Sequence, residues 1–106
     1  MPVKNYQDAL LQRLSNPEYA ALYLNAALDE TLLDGNMEAF LLALKNVVNA
    51  KGAVQEIATD ADISRQHLYR LLNGTGNPTL ETLTAVLHAV GLAIDFKPAS
   101  NPAEVA

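Results

Sequence analysis

A chain of 106 residues with 50% hydrophobic side chains can build one modest core and not two. Seven basic against twelve acidic residues give a formal net charge of -5, which argues against a protein that holds nucleic acid by charge alone. There is no cysteine, which excludes disulfides, thiolate catalysis and Cys-based zinc sites, and His67 and His88 are too few for a His-rich metal site.

The chain opens MPVKNYQDAL, with no apolar signal core, and has no uninterrupted apolar run of about 18 residues. A soluble cytoplasmic protein with no membrane partner is the expectation. Aromatic content of 6% and the absence of Trp leave Leu, Val, Ile and Ala to fill the core, which suits packed helices. The expected class is all-α, with five to six helices.

In chain order, YQDALLQRL places Tyr6, Leu10, Leu11 and Leu14 at helical spacing, and the SNP that follows ends one helix and opens another. Asn16 caps and Pro17 suits a first helical position. Tyr19, Leu22, Tyr23, Ala26 and Ala27 then form a second apolar stripe that fades near Asp34-Gly35. Asn36 caps a third helix, whose Phe40, Leu41, Leu44, Val47 and Val48 make a broad apolar face ending at Lys51-Gly52. AVQEIAT (53–59) offers one or two turns with Val54, Ile57 and Ala58 inward, and residues 60–63 connect it to the next helix. Ser64 caps that helix, Arg65 to Asn73, with Leu68, Leu71 and Leu72 facing in and Gly74 as its stop.

GTGNP is a loop, after which Thr79 caps a last helix with Leu80, Leu83, Val86, Leu87 and Val90 inward, closed by Gly91. LAIDF (92–96) alternates as a short C-terminal strand, a minor one closing the domain or an edge that pairs with its copy in a dimer. The expected organisation is an N-terminal helical extension over 1–35, a DNA-binding domain over 36–97 and a loose tail over 98–106.

Function concentrates in ISRQHLYRLLNG (63–74), which turns Arg65, Gln66, His67, Tyr69 and Arg70 outward from an apolar face. Two short helices joined by a tight turn and braced by a third form a helix-turn-helix, whose second helix enters the DNA major groove. Arg can pair with guanine and Gln with adenine, while Ser64 and the helix N-terminus can hold phosphate. The expected roles are base reading by Arg65 and Gln66 and backbone positioning by Ser64 and Arg70. His67 either touches a base or phosphate or stands idle. Tyr69 either contacts sugar or a thymine methyl or packs on the helix flank.

Residues 1–35 carry two basic and five acidic side chains, whereas 36–90 carry four and five, so the acidity lies mostly in the N-terminal third. Nothing supports catalysis: there is no G-x-S-x-G, no glycine-rich phosphate loop after a strand, and no base beside the carboxylate clusters. No catalytic residue, cofactor or metal is expected.

Residues 53–94, AVQEIATDADISRQHLYRLLNGTGNPTLETLTAVLHAVGLAI, resemble the Cro and phage-repressor type of helix-turn-helix, with Ile57-Ala58, Asp62, Ser64, Gly74, Pro78 and Leu80 to Leu87 at the positions of its pattern. The chain as a whole, including RLSNPEYAALYLNAALDE and MEAFLLALKNVVNAKGA, resembles addiction-module antidote proteins of the HigA-like kind. That resemblance implies a dimeric repressor binding double-stranded operator DNA, and an antitoxin against a toxin of the RelE/ParE superfamily. The acidic segment 18–34 is then either a solvated face or a cover for a basic toxin. Two positions depart from the wider pattern. Val54 stands where a phosphate-touching Gln is frequent, with Gln55 one place on, and Asp62 stands where the turn often has Gly. The other readings are a stand-alone, prophage-type regulator and a protein-interaction module that has lost DNA binding.

Overall fold

The computed structural model describes residues 6–74 and 77–99, which contain six α-helices and no strand. α1 (Tyr6–Leu14) leads into α2 (Pro17–Asp34) through Asn16, whose side chain accepts the Glu18 N–H at 2.8 Å. Pro17 occupies the first turn, where its missing N–H leaves no bond unmade. The same device starts α3 (Met37–Lys51), where Asn36 accepts the Glu38 N–H at 3.0 Å. α4 (Val54–Ala61), α5 (Arg65–Leu72) and α6 (Leu80–Ala89) follow as three short helices.

α3 is the central element. It packs against α1, α2, α4 and α5, while α6 lies on α4. The apolar face expected of it, Phe40, Leu41, Leu44, Val47 and Val48, is buried throughout. Around it close Leu14 of α1, Ala20 and Leu24 of α2, Ile57 and Ala58 of α4, Leu68, Leu71 and Leu72 of α5, and Val86 and Leu87 of α6. Two polar links supplement this packing. Asn46 donates to the Tyr23 hydroxyl at 2.9 Å and accepts from the Gln7 amide at 3.2 Å, tying α1, α2 and α3. The buried Thr31 hydroxyl lies 3.1 Å from both the Ala27 and the Asn36 carbonyls, joining the end of α2 to the start of α3.

Three expectations need correction. Residues 92–96 form no strand within the chain, so they do not close the domain as one: alternation decides which side chains share a face, but a strand needs a neighbour for its backbone groups. Among the described residues there is none, and the Leu92 N–H donates back to the Leu87 carbonyl at 2.8 Å. The link after α4 is also shorter than 60–63, because Asp60 and Ala61 remain helical. Finally, four residues read as inward are exposed: Tyr6, Leu22, Ala26 and Leu80. In α2 leucine and alanine occur all round the helix, so the stripe that wins is set by what α1 and α3 offer. It runs through Ala20, Leu24, Ala27 and Thr31, with Tyr19 and Tyr23 half-buried on its flank. Thr75 and Gly76 of the GTGNP loop, and residues 100–106 of the tail, lie outside the described residues.

Candidate nucleic-acid interface

The corner between α4 and α5 is built from backbone hydrogen bonds. The Asp62 N–H donates to the Thr59 carbonyl at 3.1 Å and the Ile63 N–H to the Ala58 carbonyl at 3.0 Å, the paired pattern of a Schellman stop. That stop requires a left-handed residue, and Asp62 supplies it at φ 61, the one non-glycine residue with positive φ among those described. Asp tolerates this conformation better than most side chains. Ser64 then turns extended, and its hydroxyl accepts the His67 N–H at 3.0 Å to start α5. Three residues, Asp62 to Ser64, thus join two eight-residue helices.

α5 is held by Leu68, Leu71 and Leu72, which it buries against α4 and α3. With that stripe fixed, helical periodicity sets the rest. Gln66 and Arg70, four residues apart, face most directly away from the core, and Arg65 and Tyr69 lie on one flank. All four are exposed. His67 is half-buried on the other flank, Ser64 is exposed at the N-terminus, and Gln55 is exposed in the first turn of α4. Six of the seven expected site residues therefore share α5 and its cap, and Gln55 stands apart on the preceding helix.

One relation escaped the sequence reading. The Arg65 guanidinium lies over the Tyr69 ring, 5.6 Å from its centroid. Such a pair contributes about 0.5–1 kcal/mol at an exposed site and narrows the guanidinium's freedom before any ligand arrives. The signal was there in the i, i+4 spacing of an Arg and a Tyr. Charge on this corner is mixed: α5 carries two arginines and no acid, while Glu56, Asp60 and Asp62 are exposed beside it. Planar donors on Arg65 and Arg70 and an amide on Gln66 can make paired hydrogen bonds to base edges or phosphates.

The described residues thus form a small all-helical chain that presents a short, acid-free polar helix on a rigid corner. A family model described as "Probable addiction module antidote protein" matches residues 4–98, and the chain belongs to that family. A protein of Haemophilus influenzae, described as an uncharacterized protein, is 42% identical over 81 residues, covering 76% of this chain and 78% of that one. No solved structure matches. An antidote in an addiction module acts against a toxin, so a toxin is the partner that the family implies. Among the described residues no helix is long and apolar enough to cross a membrane.

Proposed function

We propose that the chain is a DNA-binding antitoxin of the HigA-like kind, non-enzymatic and cytoplasmic. It neutralises a RelE/ParE-like toxin and represses its own operon as a dimer. The observation that carries the DNA half is the exposed face of α5, with Gln66 and Arg70 foremost and Arg65 set against Tyr69, on a corner fixed by Asp62 and Ser64. This supports a Cro-type helix-turn-helix in which α5 enters the major groove, Arg65 and Gln66 read bases, and Ser64 and Arg70 meet the backbone. Two arginines give a single copy little affinity, and two copies about one helical turn apart, roughly 34 Å, read a palindromic operator.

The toxin half is supported by α2. Away from the α6 side, its surface carries Glu18, Glu30 and Asp34 with no basic residue, and leaves Leu22 and Leu33 exposed at 69% and 88%. Such a face suits a basic surface with apolar centres. Reversing charge in Glu30→Lys with Asp34→Lys is expected to weaken toxin neutralisation and leave DNA binding intact.

The deciding experiment is a salt titration of the full chain on its own upstream DNA and on a scrambled duplex. Preference for the upstream DNA, weakening as salt rises, supports repression. Gln66→Ala is expected to cost about 1–3 kcal/mol at one base step. Equal losses on both duplexes would remove Gln66 from base reading. Lack of preference at any salt would favour the interaction-module reading, to which the carboxylate of Asp62 beside α5 already lends weight.

A further inference from the structure

α2 packs on α3 and α6 on α4, but α2 and α6 do not touch. Between them lies a groove of about 580 Å³, walled by Leu28 and Leu32 on one side and Leu83 and Leu87 on the other, with Phe40 in its floor. Its remaining border is the segment after α6, where Ile94 is 41% exposed and Phe96 is 91% exposed. A large apolar groove beside an almost fully solvated phenylalanine is an uncommon combination for a surface that stays in water.

We propose that a second copy of the chain closes this groove, each copy's Phe96 entering the groove of the other about a two-fold axis. The charges at its border favour a copy over a different partner. Asp29 stands on the α2 side, and Asp95 and Lys97 on the C-terminal side. A basic partner would meet Lys97, and an acidic one would meet both carboxylates. In a two-fold contact Lys97 of one copy faces Asp29 of the other, and the pair forms twice. The area is also of the right order. A buried aromatic side chain contributes about 150–250 Å², roughly a quarter of the ~800 Å² per partner in a standard interface, and Leu32 at 74% exposed and Ile94 add to it. The need for a dimer comes from the DNA-binding reading, and the inference rests on it to that extent. The choice of surface does not.

The test is sedimentation equilibrium of the full chain over the micromolar range, with circular dichroism to check each variant's fold. Wild type is expected to be dimeric. Phe96→Asp and Leu32→Glu should each raise the dimer dissociation constant roughly 100- to 10,000-fold, the change that follows from losing two buried apolar anchors, one in each copy. Leu42→Glu, at an exposed leucine outside the groove, should leave it unchanged. Asp29→Lys and Lys97→Asp should each weaken the dimer, and the double variant should recover it, since the swap rebuilds the pair. A monomeric wild type overturns the proposal, as does a dimer that tolerates both Phe96→Asp and Leu32→Glu. In the second case the DNA-binding reading stands, because its readout is preference for the upstream duplex. Conversely, a dimer broken by Phe96→Asp in a chain that shows no such preference would keep this surface and remove the DNA-binding reading.

Discussion

Replacing Ser64 in two ways separates its work in folding from its work in binding. Its hydroxyl accepts the His67 N–H at 3.0 Å, and its carbonyl accepts the Leu68 N–H at 3.0 Å. Ser64→Ala removes the first bond and keeps the second. α5 has only eight residues, so one satisfied donor in its first turn is a sizeable share of its hydrogen bonding. Because the site is exposed, water can replace the lost partner, which places the cost near the middle of the capping range, about 1 kcal/mol. Ser64→Asp keeps an acceptor there and adds a negative charge at the positive end of the helix, worth about 0.3–1 kcal/mol, so stability should hold or rise. DNA binding should move the opposite way. A carboxylate about 4 Å from a phosphate costs on the order of 1 kcal/mol even at the dielectric of water, hence roughly fivefold in affinity for each copy bound, shrinking with added salt. Urea unfolding followed by circular dichroism reads the first quantity, and anisotropy of a labelled upstream duplex reads the second. If Ser64→Asp is at least as stable as wild type and binds the duplex equally well at low salt, the N-terminus of α5 does not face phosphate, and the proposed docking is wrong.

Asp62→Asn keeps a side chain that tolerates the left-handed turn and removes one carboxylate beside α5. Unfolding should shift by less than about 0.5 kcal/mol while affinity for the upstream duplex rises. Gly74→Ala should cost about 1–2 kcal/mol in urea unfolding, since φ is +78 and the new methyl would stand 3.2 Å from Cγ of Glu38. Leu68→Ala empties a fully buried position under the recognition face and should lower unfolding free energy by about 2–5 kcal/mol, read by thermal and urea denaturation. Thr31→Val keeps the shape and loses the hydroxyl between the Ala27 and Asn36 carbonyls, so it should cost about 1 kcal/mol by the same assay, and no change would mean that water already serves those carbonyls.

Local chemistry was the most legible part of the sequence. Asn16, Asn36, Ser64 and Thr79 each precede an apolar run and each caps a helix, because capping depends on a side chain and a backbone N–H two or three residues away. The inward face of α5 was equally plain, since only Leu68, Leu71 and Leu72 are apolar on a helix otherwise polar. Where the pattern was crowded the reading faltered. Leu22 and Leu33 look like core residues by composition, yet α2 can bury one side only, and the neighbours that choose the side are distant in sequence. The same holds for LAIDF, whose alternation says nothing about whether a second strand exists to receive it. The groove between α2 and α6 was illegible for a related reason: it is defined by two helices that fail to meet.

The central place of α3 has a consequence for communication. α1 and α2 pack against neither α4 nor α5, and α3 is the one helix that packs against all four. A displacement carried from α2 to α5 through the helices therefore passes along one fifteen-residue rod, whose Leu41, Leu44 and Val48 are wholly enclosed. Closely packed side chains of that kind yield little and transmit displacement, so a shift at one end arrives at the other as a tilt of the whole helix. Substitutions that loosen α3 without unfolding it, such as Val48→Ala, would then uncouple the two ends of the molecule before they disable either one.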